Sequence, residues 1–227
     1  MRIANLDGRL TLVIDDTSGI DVETASAGKF SAHAAEAFDR WSELREWAAT
    51  ADLTSEVVTI DPQRLGPPSP SPRQIFAIGL NFSDHAEESG VAVPETGPVV
   101  FTKFRSALTG PITTVTLPPE GNTDWEAELV VVIGRQASAV SSAEAWDVVA
   151  GFTVGQDLSE RILQRSGPAP QFSLGKSLAG FAPTGPVLVT LDELADPGDL
   201  EIERKTIILA HELEKAQRAV VEAGIAP

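Results

Sequence analysis

Apolar and polar residues alternate through residues 2–15, RIANLDGRLTLVID, around an Asp7-Gly8 break, which predicts a two-stranded hairpin on a two-residue turn. The period then changes. Over residues 34–49, Phe38, Trp41, Leu44 and Trp47 recur every three positions, predicting a helix with an apolar stripe whose tryptophans belong to a core. The prolines of DPQRLGPPSPSPR, residues 61–73, cannot join a helix interior or a central strand, so this stretch reads as a linker or an extended crossing segment. A boundary there divides a small N-terminal domain, residues 1–70, from a main domain, residues 71–203. Within the latter, residues 74–80 and 129–133 read as short buried strands, and residues 98–103, 151–156 and 187–190 as further strands. Residues 142–149 read as a short helix capped by Ser141 or Ser142, residues 158–164 as a helical turn, and GFAPTGP, residues 180–186, as turn-rich. Many short strands and few long helices favour a β-rich α+β fold over a doubly wound one.

Composition narrows the function. The 227 residues carry 33 acids against 17 bases, a formal net charge of -16, so nucleic acid and anionic membrane are poor partners. With no cysteine, thiolate catalysis and Cys-containing zinc sites are excluded, and three histidines make a multi-histidine metal site a poor reading. The first residues lack the pattern of a secretory signal, and no apolar run approaches the ~20 residues of a membrane span. A cytoplasmic setting is the expectation.

The candidate chemistry centres on DWEAELVVVIG, residues 124–134. Glu126 and Glu128 stand one residue apart at the head of a strand, where alternate side chains share a face. They form half of an oxygen-ligand site for Mg²⁺, Mn²⁺ or Ca²⁺, or else a solvated strand end in an acid-rich chain. Asp157, at the end of a later strand, completes such a site only if the two strands are neighbours. His85 and Glu88, three apart, are either a base with its orienting carboxylate or an exposed polar turn. Arg161 and Gln164 share one face of a helical turn. Lys176 is a surface lysine or, if buried near the acids, a group to hold a substrate carboxylate or polarise a carbonyl.

Five pieces in order, GLNFSDHAEESG, FTKFRSALTGP, DWEAELVVVIG, VAGFTVGQDLSERILQ and QFSLGKSLAGFAPTGP, resemble the fumarylacetoacetate hydrolase family. The resemblance implies a small N-terminal domain followed by a mixed β-roll, assembled as a homodimer. It also implies an Mg²⁺ or Mn²⁺ site of Glu126, Glu128 and Asp157, and a catalytic His85–Glu88 pair. Gln164 and Lys176 then contact substrate, with Arg161 between the metal-binding aspartate and the glutamine. The implied substrate is a small anionic 2-oxo acid with a second carbonyl. Hydrolysis of a carbon–carbon bond in an acylpyruvate-like 2,4-diketo acid, in the breakdown of aromatic compounds, is the leading expectation; isomerisation or decarboxylation on the same site is the alternative. From residue 201 the resemblance ends, and a family turn containing GTP is missing. RKTIILAHELEKAQRAVVEAGIAP, residues 204–227, reads as an amphipathic helix with Leu209, Leu213, Ala216 and Val220 in helical spacing. That departure sustains a reading of another class, a non-catalytic metal-binding or interaction protein.

Overall fold

In the computed structural model, which describes residues 1–54, 56–79, 98–198 and 200, β1 (Arg2–Leu6) and β2 (Arg9–Val13) form the expected hairpin. Asp7 and Gly8 both take positive φ, 53° and 84°, as a turn matched to strand twist requires. The chain continues through β3 (Ser18–Asp21), α1 (Val22–Ala25), α2 (Trp41–Ala48), β4 (Val57–Thr59), β5 (Leu65–Gly66), β6 (Ile75–Gly79) and β7 (Val99–Lys103). Then come β8 (Leu108–Thr109), β9 (Thr123–Asp124), β10 (Ala127–Ile133), β11 (Val149–Gln156) and β12 (Ser159–Glu160). α3 (Arg161–Gln164), α4 (Phe172–Gly175) and β13 (Ala182–Val189) complete the described elements.

One sheet runs β10-β11-β13-β1-β2-β3-β4, with β5 added to β1 and β8 to β13. The pairing Arg2↔Val189 and Ile3↔Leu188 joins the start of the chain to its last described strand. The sheet is therefore continuous across the boundary read at residues 61–73. So is the core: Ile3, Leu10, Leu12 and Ile20 pack with Ala34, Ala37, Trp41 and Leu44, and with Val132, Ala150 and Leu188. Ala4, Leu6, Ile60 and Leu65 form a second cluster, so β1 is covered on both faces. Trp41 lies on Gly134 so closely that a Cβ there would come within 2.8 Å of its ring, which anchors the far end of β10.

Several local expectations are corrected. The helix over residues 34–49 is split into a 3-10 segment, Ala34–Arg40, and α2; a spacing of three is itself the 3-10 period, and Ala34 and Ala37 use it to face the core. Residues 142–149 form a 3-10 turn, Glu144–Val148, whose N-cap position is Ala143 rather than a serine; Ser141 instead exchanges hydrogen bonds with Glu144. The strands at residues 74–80 and 129–133 are not buried on both faces. Phe76 and Ile78 are 59% and 44% exposed because, among the described residues, β6 pairs with β7 alone and no third strand or helix covers them, and Val131 and Ile133 are exposed because they point away from the face that carries Val132 into the core. GFAPTGP is strand rather than turn from Ala182 onward, carried through the cis Gly185–Pro186 bond by pairing with β11 and, in parallel, with β8. The proline-rich stretch is the crossing segment: β5 pairs with β1, Pro68 is fully buried, and Asn5 donates to the Pro67 carbonyl at 3.0 Å. The tail helix read over residues 204–227 lies outside the described residues.

Candidate metal and substrate site

Glu126 precedes β10 and Glu128 is its second residue. The register Ala127↔Gln156 and Glu128↔Gly155 places Asp157, just past β11, beside both, and the Asp157 N–H donates to the Glu126 carbonyl at 2.9 Å. This is the strand adjacency that the sequence leaves open. One carboxylate oxygen from each of the three acids lies within 4.8 Å of the others.

Three basic side chains balance them. Lys176 Nζ, almost fully buried at the C-terminal end of α4, donates to Glu126 Oε2 at 2.8 Å and Asp157 Oδ2 at 2.6 Å, and stands 5.2 Å from the Phe101 ring centre. Arg161 donates to Glu126 Oε1, to Asp124 Oδ2, and to Gln164 Oε1 at 2.9 Å. The third is Lys103, which the residue-by-residue reading did not single out. Its ammonium bonds Asp157 Oδ1 and the carbonyls of Leu158 and Lys176. Alternation along β7 does not mark Lys103, since Val99, two positions before Phe101 on the same face, is 41% exposed.

Charge does not balance evenly among these groups. Glu126 is held below the usual carboxylate range, because Lys176 and Arg161 outweigh the burial that would raise it. Burial lowers the Lys103 ammonium despite Asp157. Glu128 has no hydrogen-bond partner among the described residues; burial, then Glu126 and Asp157, push its carboxyl up to about 7. An all-oxygen donor set in which one acid, Glu128, has no donor among the described residues fits a hard divalent cation. The oxygens of Glu126 and Asp157 that face the basic groups each keep a second lone pair for such an ion.

Arg161, Gln164 and Lys176 thus gather around the three acids. Gln164 is buried on α3, and α4 approaches α3 so closely that a Cβ on Gly175 would stand 2.5 Å from the Gln164 nitrogen. His85 and Glu88 lie outside the described residues.

Residues 74–223, more than half of the chain, match the family described as Fumarylacetoacetate (FAA) hydrolase C-terminal. The chain belongs to the fumarylacetoacetate hydrolase family. The match takes in residues beyond 201, which the motif reading sets apart. Among solved structures of like fold, an HpcE-like protein of Mycobacterium smegmatis is 53% identical, with a TM-score of 0.79 over 87% of this chain and 69% of that one. Maleylpyruvate hydrolase of Sphingobium sp. SYK-6, solved with manganese(II) and pyruvate, is 26% identical with a TM-score of 0.62 over 87% of this chain and 70% of its own. This family member is also 43% identical over 136 residues to the mitochondrial oxaloacetate tautomerase FAHD2A of Bos taurus. That alignment covers 60% of this chain and 43% of the relative, so the chain spans less than half the length of the curated relatives it first matches. Among the described residues, no helix is long and apolar enough to cross a membrane.

Proposed function

We propose that this fumarylacetoacetate hydrolase family member enolises a small 2-oxo acid that carries a second acidic group, with oxaloacetate as the first candidate. The observation that carries this reading is the Glu126–Glu128–Asp157 cluster with its unpartnered Glu128, set against buried Lys176. The tautomerase relatives supply the candidate substrate. Glu126, Glu128 and Asp157 would hold a divalent cation, whose chemistry there would be Lewis acidity towards the keto oxygen of a 2-oxo acid. Lys176 keeps a fixed positive charge beside the acids, so an anionic substrate is not repelled. Arg161 and Gln164 orient the second acidic group. His85, oriented by Glu88, takes the proton from the carbon next to the ketone and returns it to oxygen. Mg²⁺ or Mn²⁺ is the metal of this reading, and a homodimer its assembly, the latter checked by mass in solution.

A second reading is hydrolysis of an acylpyruvate-like diketo acid, in the breakdown of aromatic compounds. The likeness to maleylpyruvate hydrolase favours it. There the same His85–Glu88 pair activates water against the distal carbonyl, and the carbon–carbon bond breaks to release an enolate.

The test follows the enol absorbance of oxaloacetate with and without Mg²⁺, with Glu126→Ala as control. Metal-dependent acceleration by the wild type alone supports the proposal. Inert oxaloacetate but an acylpyruvate split into two fragments replaces it with the second reading, and inertness towards both favours the non-catalytic alternative.

A further inference from the structure

Glu160 is 4% exposed, yet among the described residues its carboxylate meets no cation. It accepts backbone N–H groups instead. Oε1 takes those of Asn122 at 2.6 Å and Ile162 at 3.2 Å, and Oε2 takes that of Leu163 at 2.6 Å. Ile162 and Leu163 lie in the first turn of α3, which carries Arg161 and Gln164, so the carboxylate caps that helix. Asn122 stands two residues before Asp124 and four before Glu126, on the segment that feeds β9 and β10. One side chain therefore ties together the two segments that carry the Arg161–Asp124–Glu126 bridge.

We propose that Glu160 is a positioning residue, holding Arg161 and Gln164 in register with Asp124 and Glu126. The β9–β12 ladder, Ser159↔Asp124 and Glu160↔Thr123, is only two pairs long, and Arg161 N adds one bond to the Asn122 carbonyl at 2.8 Å. So short a ladder leaves the angle between the strands loose, and the three-way carboxylate fixes it. Lys176 follows Gly175, which packs on the backbone of Glu160 rather than on its carboxylate; a Cβ at Gly175 would come within 2.6 Å of the Glu160 main-chain carbonyl oxygen. Arg161 and Gln164, both assigned to the substrate side, are thus aligned from one carboxylate that touches none of the clustered acids, and Lys176 adjoins the backbone of the same residue. This inference rests on that assignment of Arg161, Gln164 and Lys176.

The experiment replaces Glu160 by Gln, which turns one acceptor into a donor facing N–H groups. In oxaloacetate enolisation, Glu160→Gln raises KM about tenfold, the equivalent of one or two lost charge-assisted hydrogen bonds, with kcat less affected. A readout independent of turnover is a double-mutant cycle on Mn²⁺ affinity. Arg161→Ala frees Glu126 Oε1 and tightens Mn²⁺ binding in the wild type; in the Glu160→Gln background that gain shrinks by about threefold or more. An equal gain in both backgrounds overturns the proposal, whatever turnover shows. If the wild type does not enolise oxaloacetate, the functional reading fails and the Mn²⁺ cycle decides this inference alone. If Glu160→Gln does not fold, Glu160→Asp replaces it in the same cycle, since a carboxylate one methylene shorter still caps α3 but falls short of Asn122; a shrunken gain supports the role and an equal gain overturns it.

Discussion

Two charged clusters in this molecule are built from the same residue types and do different things. At the N-terminal end, Arg9 grips Asp21 at 2.6 and 2.9 Å and reaches Glu23 at 3.1 Å, while Asp21 also caps α1 through Thr24. Its acids are matched by local partners, and Arg9 and Glu23 are each 48% exposed in their side chains. At the site, Glu126, Asp157 and the basic groups are equally well bonded, but Glu128 is left over, half-buried and without a donor among the described residues. A satisfied cluster holds a fold together; a half-buried acid left without a donor among the described residues marks a place where something else binds.

The sharpest break of this contrast is Lys103→Met. It leaves Asp157 buried with one cation fewer and two carbonyls without their donor, and costs about 3–5 kcal/mol in denaturant unfolding. Cutting the exposed arm of the N-terminal cluster with Glu23→Ala changes stability by about 0.5 kcal/mol or less.

Between these lies pH. A cation must displace the Glu128 proton, so Mn²⁺ affinity measured by calorimetry rises about tenfold for each pH unit approaching about 7 from below, then levels. In metal-free protein the folded state holds that proton more tightly than the unfolded chain does. Its contribution to stability is therefore present below the ordinary glutamate range and is lost as pH rises through about 7. Glu128→Gln flattens that decline in melts between pH 5 and 8. Asp21 behaves in the opposite sense: Arg9 holds its carboxyl low, so its contribution is present above the ordinary aspartate range and is lost on acidification.

The same contrast explains what was legible in the sequence. The Asp7-Gly8 hairpin is written in adjacent residues, and so is the spacing that brings Glu126, just before β10, near Glu128, its second residue. Asp157 was nameable as a candidate, but its place beside them depends on β10 and β11 being neighbours, a fact of the whole sheet. Lys103 carried no local mark; its role arises because β7 ends against residues 54 and 73 positions away. Faces were the least legible. Val131 and Ile133 have the composition of a buried strand, but they lie on the face of β10 opposite Val132, where no described residue buries them. Gly185 and Pro186 punctuate like a turn, yet the strand runs through them, with Gly185 paired to Val154 of β11.

The most direct measurement is a Mn²⁺ titration of the folded protein by calorimetry at pH 8, beside Glu128→Gln. The account predicts one Mn²⁺ per chain, with affinity about 100-fold weaker in the variant and the fold unchanged by circular dichroism. Folded wild type that takes up no Mn²⁺, or equal affinity in the two proteins, would contradict it.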